Sequence, residues 1–234
     1  MMLLVSASER APHPGSTRWR IVVPVRGGPV AKTRLTRIEG RELSPSERVE
    51  LALAMALDTV AAARDSGCGP VTVRTADPRT ATVFRQEGVA VSMDGGGGLN
   101  AEIAAAATES ATGDGITSGV VVLLGDLPAL RADDVRDALA EVVSLEASHA
   151  YVPDREGTGT TLVAVRPPET PLPLAFGPGS AHRHSELGFV AVGAALTRLR
   201  CDVDTPDGWE RALALGLGPA STRVRAALLG PVRR

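Results

Sequence analysis

The sequence predicts an α/β protein built on a mostly parallel sheet with a small antiparallel addition. Three observations predict it. Strand-like and helix-like segments alternate through the first half, as in a chain of βαβ units. Residues 120–124 are a continuous apolar run closed by Gly125-Asp126, the pattern of a strand buried on both faces. After residue 148, strand-like runs follow one another with little helix between them, which suits antiparallel strands added at one side.

Each element has its own signal. Residues 1–18 hold Ser, Pro, Gly and His without periodicity and read as a disordered tail, leaving 19–230 as a single domain. Residues 19–25 form a first strand, with Pro24 near its exit, where proline is tolerated. The next loop carries two glycines and the basic residues Arg26, Lys32 and Arg34. Glycines let a backbone approach a ligand closely, and successive N–H groups can cradle an anion. The GxxxxGK[ST] spacing of a Walker loop is absent, and a solvated basic loop is the plain alternative.

Ser44-Pro45-Ser46-Glu47 is a helix start, with Ser as N-cap, Pro first in the helix and Glu three residues after the cap. Val49, Leu53, Ala56 and Val60 then mark one apolar face at helical spacing. Residues 70–75 read as a strand, Asp77-Pro78 opens a short helix to Gln86, and 89–91 is a third strand. Four glycines at 95–98, then Leu99-Asn100, feed an Ala-rich helix at 101–109. A Gly-rich loop entering a helix suits a nucleotide phosphate, while Asn100 by itself suits a helix cap.

Beyond Asp126, a helix places Val135, Leu139 and Val142 on one face. Strands follow at 149–153, 161–165, 189–192 and 199–203, with a Pro-rich loop at 167–173. Thr205 and Pro206 start a helix holding Trp209 and Leu213, ended by Gly216 and Gly218.

Composition narrows the function. A formal net charge of −2 over 234 residues offers no basic excess for nucleic acid and no Lys/Arg block for a membrane surface. Cys68 and Cys201 are the only cysteines and lack CxxC spacing. Neither a zinc site nor a disulfide framework is indicated, and a cytoplasmic location is expected. The apolar run at residues 1–5 is too short, and lacks the basic flank, for a secretory signal. No stretch reaches membrane-spanning length. Lys32 is the only lysine, every other basic residue of this kind being arginine. A bias toward arginine accounts for the majority but not for the exception, which hints that position 32 needs a compact, mobile ammonium rather than a planar fork; survival of one lysine by chance is the plain alternative.

In open α/β sheets, ligands collect at the carboxyl ends of the strands. Asp126 stands at such an end, just before Pro128 stops the strand. A carboxylate there is costly to bury unless something binds it. A divalent cation carrying phosphates would do so; a cap or turn role is the alternative. Asp202 and Asp204 are candidates to join it. Residues two apart in a strand face the same way, so both would point at the cation if the strand persists through Asp204, and only one if it ends earlier.

These pieces occur in one order: Ala31-Lys32-Thr33-Arg34-Leu35, Leu99-Asn100, Gly125-Asp126-Leu127-Pro128, Asp154-Arg155 with Gly157-Thr158-Gly159-Thr160, Phe176-Gly177 with Ser180 and His184, and Asp202-Val203-Asp204-Thr205-Pro206. In this the chain resembles the CofC/FbiD guanylyltransferases of deazaflavin coenzyme F-420 biosynthesis, from Trp19 to the last helix. The resemblance implies a Rossmann-like nucleotidyltransferase fold of the GT-A type, a three-layer sandwich. It implies a reaction that couples GTP to a small phosphorylated acid and releases diphosphate. Phosphoenolpyruvate is the acid implied by the bacterial branch, with 2-phospho-L-lactate and 3-phosphoglycerate as alternatives. By the same resemblance, Lys32 and Asp126 are catalytic, and Arg26, Lys32, Arg34, Leu99 and Asn100 bind the nucleotide. Asp126, Asp202 and Asp204 would hold Mg²⁺. Thr160, Gly177 and Ser180 would surround the acid, with His184 either donating to it or bracing its loop. The product would pass to a downstream deazaflavin transferase. The chain departs from the family pattern in having Arg26 where Lys is expected, in its four-glycine run, and in its first eighteen residues, which match nothing.

The chemistry suits the residues independently of that resemblance. A phosphate nucleophile is already anionic near neutral pH, so the lack of a Ser-His-Asp or Cys-His arrangement is expected. What the reaction needs is positioning and charge stabilisation, and Mg²⁺ favours carboxylate and phosphate oxygens. A molybdenum-cofactor nucleotidyltransferase or a sugar-nucleotide transferase on a similar sheet is the nearest other enzyme class. The segments 154–160 and 176–180 argue against both. A non-catalytic nucleotide-binding regulator is a further alternative, against which Lys32 and the three aspartates together argue.

Overall fold

The computed structural model describes residues 18–28, 31–93, 100, 119–166 and 172–230. The expected N-terminal tail (apart from Arg18), the four-glycine run with Leu99, the helix at 101–109 and most of the Pro-rich loop lie outside the described residues.

Four parallel strands form one side of the sheet: β1 (Trp19–Pro24), β4 (Val71–Thr75), β5 (Ala90–Met93) and β6 (Gly119–Leu123). β1 lies between β4 and β6, with Ile21 opposite Val71 on one side and Val121 on the other. β8 (Thr160–Val165) runs antiparallel to β6, with Val121 opposite Ala164. It is also antiparallel to β7 (His149–Pro153), which pairs in parallel with the two-residue β9 (Val190–Ala191). The strand order is β5-β4-β1-β6-β8-β7-β9. β8 alone opposes the common direction among these strands, so the small antiparallel addition is a single inserted strand.

Alternate residues of the central strands feed opposite faces. Ile21, Val23, Val121 and Leu123 pack with Ala56 and Val60 of α1 (Pro45–Asp65), Phe84 of α2 (Pro78–Gln86), and Val135 and Leu139 of α3 (Ala132–Ser144). Val22, Val120 and Val122 pack on the other face with Tyr151, Phe176, Phe189 and Ala181, the last on α4 (Ser180–Glu186). The helix starts follow the expected chemistry. Ser44 and Glu47 form a capping box, Asp77 caps α2 through the Thr80 N–H, and Thr205 caps α5 (Pro206–Leu215) through the Gly208 N–H.

Three features were not anticipated. A small hairpin, β2 (Arg37–Ile38) and β3 (Arg41–Glu42), turns at Glu39 and Gly40, both at positive φ. A final helix, α6 (Pro219–Leu229), lies along α1. Residues 199–203, expected as a strand, make a turn and then an irregular extended run. The reason is position: this segment passes the sheet beyond the end of β6, where no ladder is available. It is held instead by single bonds, from the Val203 N–H to the Asp126 carbonyl (3.0 Å) and from the Arg155 N–H to the Arg200 carbonyl (2.9 Å).

A third apolar cluster seats these additions, with Leu35, Ile38, Leu51, Met55, Val203 and Trp209 at its centre. α6 is fastened to α1 by the buried Asp58. Its two carboxylate oxygens each accept a backbone N–H, from Ala220 and Ser221, at 2.8 Å. Gly218 makes room for it, since a Cβ there would lie 2.3 Å from the Asp58 carboxyl carbon. Charge-assisted bonds to otherwise orphaned helix N–H groups are strong. Asp58→Ala should therefore lower the unfolding free energy by about 2–3 kcal/mol in denaturant melts. An unchanged midpoint would show that water replaces the carboxylate at no cost.

Candidate active site

β1 and β6 are neighbours, and the chain leaves them toward opposite sides of the sheet: after β1 the next sheet strand is β4, while β6 is followed by β8 and β7. This is a topological switch point, where a crevice opens at the strand ends. A cleft of about 910 Å³ occupies it. That is within the range of sites that enclose a sizeable ligand, roughly 300–1,000 Å³.

The loop after β1 carries Lys32 into this cleft. Ala31 and Leu35 on either side are buried, and bonds from the Ala31 N–H to the Gly28 carbonyl and from the Leu35 N–H to the Lys32 carbonyl tighten the loop. Lys32 adopts φ +51, a left-handed conformation uncommon for a side-chain-bearing residue and found most often where surroundings impose it. Its ammonium lies 2.5 Å from Asp126 Oδ2 and 2.6 Å from Asp204 Oδ1. The second Asp204 oxygen accepts from the Arg34 guanidinium, which is largely exposed. Burial works to lower the Lys32 pKa, but the two carboxylates outweigh it and hold the ammonium above its ordinary value. Burial likewise works to raise Asp204, and Lys32 and Arg34 overcome it to hold that carboxyl below the usual range.

Asp202 behaves differently. Burial, then the nearby charges of Asp126 and Asp204, push its pKa up to about 7. Negative charge is thus in excess around the Lys32 ammonium. Asp126 Oδ1 is moreover buried and, among the described residues, has no hydrogen-bond partner. An unpaired carboxylate oxygen in an all-oxygen donor set beside two further aspartates is what a hard divalent cation would satisfy. The residues present fit such an ion. Among the described residues, however, the group whose carboxylate oxygens all lie within 4.8 Å of one another is Asp154, Glu156 and Asp202; of the three expected aspartates only Asp202 belongs to it. Asp154 is already engaged. It accepts the N–H groups of Thr158 (2.8 Å) and Gly159 (2.6 Å) and so closes the 154–159 loop. A Cβ at Gly159 would lie 2.4 Å from the same carboxylate oxygen. In the sequence Asp154 stands out only within the 154–160 motif, and neither it nor Glu156 is given a role toward a cation there. The signal was present, because Asp154 follows β7 as Asp126 follows β6.

Thr160, Gly177 and Ser180 all line the cleft, as does the exposed Arg26. Leu99 lies outside the described residues. Asn100 uses its amide on the backbone of Phe176. Its Oδ1 accepts the Phe176 N–H (3.0 Å) and its Nδ2 donates to the Phe176 carbonyl (3.4 Å). His184 does not line the cleft. It is fully buried among Phe176, Phe189 and Tyr151, and both ring nitrogens are engaged, with Thr160 Oγ1 (3.0 Å) and the Ala175 N–H (3.1 Å). Of the two roles the sequence left open for it, the geometry is that of a brace.

Burial, and secondarily the charge of Arg183, lower the His184 pKa to about 4. Between that value and the ordinary 6.5, the unfolded chain binds a proton that the folded chain refuses. Stability then falls as pH falls, by about 1.4 kcal/mol per unit from this group. From pH 7 to pH 5, the wild type should lose about 2 kcal/mol more than His184→Gln in urea melts. Parallel losses would mean that the histidine protonates freely in the fold.

With this geometry in view, comparisons with known proteins are specific. Residues 19–188 match the family model described as "Guanylyl transferase CofC like". The chain is 42% identical over 219 residues to the phosphoenolpyruvate guanylyltransferase of Geodermatophilus obscurus, covering 92% of this chain and 96% of the other. It is 41% identical over 217 residues to that of Streptomyces avermitilis, covering 92% and 97%. Among solved structures, a protein of Desulfovibrio desulfuricans G20 described as a nucleotide-diphospho-sugar transferase superposes with a TM-score of 0.58 at 18% identity, covering 81% and 83%. A nucleotidyl transferase from Methanothermobacter does so with a TM-score of 0.51 at 16% identity, covering 83% and 95%. These two share the fold.

Proposed function

The chain belongs to the CofC-like guanylyl transferase family, and from that premise we propose that it couples GTP to phosphoenolpyruvate with release of diphosphate. The product is enolpyruvyl-diphospho-guanosine, for coenzyme F-420 biosynthesis. The acid is the one for which the related phosphoenolpyruvate guanylyltransferases are named; 2-phospho-L-lactate and 3-phosphoglycerate are the alternatives within the same chemistry. On this reading residues 19–230 act as one nucleotidyltransferase domain in the cytoplasm, and the product passes to a downstream deazaflavin transferase.

One arrangement supports the reading above others: a lysine ammonium set between two aspartates in a cleft whose lining also offers hydroxyls and glycine backbone. The phosphate oxygen of phosphoenolpyruvate attacks the α-phosphorus of GTP. The bond from that phosphorus to the bridging oxygen of the β-phosphate breaks, and diphosphate leaves with the electron pair. The nucleophile is already an anion, so no side chain must remove a proton. The work of the protein is to hold two polyanions in line and offset their charge. Lys32 and Arg34 supply positive charge on the triphosphate side, and Arg26 extends it along the cleft rim. Thr160, Ser180 and the Gly177 backbone receive the acid.

Asp126, Asp202 and Asp204 would hold Mg²⁺, with the unpaired Asp126 Oδ1 as a ready ligand. When bound, the ion supplies charge neutralisation on phosphate oxygens. The high Asp202 pKa and the Lys32 contacts describe these carboxylates without it.

Diphosphate release by the full chain should require GTP, phosphoenolpyruvate and Mg²⁺ together, with a trapping system of deazaflavin acceptor and transferase for the product. Equal turnover with ATP, or preference for another phospho-acid, would overturn the assignment. Asp126→Asn should keep the fold and lower kcat by about 100-fold or more. Lys32→Arg should also impair turnover although charge is kept, because a planar fork does not fit a position contacted at 2.5 and 2.6 Å from two sides. Wild-type kinetics in Lys32→Arg would remove any special role for the ammonium.

A further inference from the structure

The hydrogen bonds around His184 fix more than a loop. The Ala175 N–H is a backbone amide and can only donate. The ring atom it meets, Nε2, must therefore present a lone pair and carry no proton. In a neutral imidazole the proton is then on Nδ1, the atom 3.0 Å from Thr160 Oγ1. Nδ1–H is the donor, with the threonine hydroxyl as acceptor and the Ser180 backbone also within its reach. The Thr160 proton is left to point elsewhere, and among the described residues the hydroxyl has no other partner. Thr160 is a buried residue of the cleft wall.

We infer that His184 is a positioning residue: bound by the Ala175 amide in one tautomer, it turns the Thr160 hydroxyl into an obligate donor toward the anionic acid in the cleft. This rests on the proposed placement of the phospho-acid at Thr160, Gly177 and Ser180. The surroundings support a ring that cannot turn over. Phe189, Phe176 and Tyr151 lie with ring centroids 5.1, 5.4 and 5.8 Å from it. A flipped imidazole would leave the part-buried Ala175 N–H without its acceptor, which is costly. The loop's other polar groups are held as firmly. Arg183 Nε and Nη2 donate to the Ala175 carbonyl, and Asn100 takes both backbone groups of Phe176. A hydroxyl with its proton committed in advance needs no reorientation when the anion arrives, which is the advantage of a prearranged donor.

Two measurements test this on the full chain. The first is ¹⁵N NMR of the histidine-labelled protein, with His184 assigned by its loss in His184→Gln. The expected ring is neutral, protonated on Nδ1 and bare on Nε2; protonation on Nε2 would overturn the inference. The second is a kinetic cycle of His184→Gln, Thr160→Val and the double variant, with GTP and phosphoenolpyruvate varied in turn. A glutamine can still accept from Ala175 but offers nothing to Thr160. His184→Gln should raise the KM for phosphoenolpyruvate by about tenfold while leaving that for GTP within about twofold. In the Thr160→Val background it should add almost nothing, because the two residues act as one. His184→Asn, whose amide nitrogen can stand near the place of Nδ1, should restore part of the loss. An equal effect in both backgrounds, or a rise in both substrates' KM, would reduce His184 to a structural role. Absence of any turnover by the wild type with phosphoenolpyruvate would instead remove the functional reading, and the tautomer would still decide the fate of the histidine.

Discussion

Lys32, Asp126 and Asp204 come from three distant parts of the chain and meet at one point, the ammonium within 2.6 Å of both carboxylates. Much of the architecture is explained by that meeting. Two carboxylates brought together, one after β6 and one after an irregular run, repel each other, and partial burial makes the repulsion worse by removing water. One ammonium between them offsets it, which is why the lysine stays charged despite its burial. A compact, strongly charged group suits a gap contacted from two sides, and this gives a physical reason for one lysine in a chain that otherwise uses arginine. The offset is incomplete. Asp202 is left with its pKa near 7, and Asp126 Oδ1 is left without a partner among the described residues. A surplus of carboxylate at the switch point of a parallel sheet is a poor arrangement for stability alone and a suitable one for a cation with phosphates.

The part of the cleft lined by Thr160, Gly177 and Ser180 is built on the opposite plan. Where the aspartate side leaves charge unsatisfied, the segment 175–177 has its polar groups engaged by side chains. His184, Arg183 and Asn100 between them take the backbone groups of Ala175 and Phe176. The 154–159 loop is closed in the same way by Asp154. A rigid set of donors and a charged, adjustable set in one cleft are a sensible division of labour for binding two polyanions. Groups that must recognise a small acid are fixed beforehand, and groups that must neutralise phosphate keep free valence.

How far this could be read in the sequence follows from what kind of force sets each part. Local chemistry was legible. The Ser44–Glu47 capping box, the Thr205 cap and the buried 120–124 run each announce themselves within a few residues, and each stands where expected. So was the carboxylate at the exit of β6, because a strand that ends in Gly-Asp is a local pattern. What was not legible depends on partners distant in sequence. Residues 199–203 have a strand's composition but no neighbour to pair with, since β6 has already ended at Leu123. The β2–β3 hairpin is two residues a side and is held by Ile38 and Leu35 in the third cluster rather than by its own ladder. α6 owes its start to Asp58, some 160 positions earlier in the chain. His184 was visible as a polar residue in a small-residue loop, but nothing local says that Ala175 and Thr160 would occupy its two nitrogens.

The proposal that Asp126, and not the neighbouring Asp154–Glu156 pair, anchors the cation is the point on which the account turns. Titration of the full chain with Mn²⁺, read by loss of the free-ion electron paramagnetic resonance signal, tests it without recourse to catalysis. The account predicts that Asp126→Asn weakens binding by about tenfold or more while Glu156→Gln leaves it unchanged. Undiminished affinity in Asp126→Asn, with loss in Glu156→Gln, would contradict it and move the cation to the other side of Asp202.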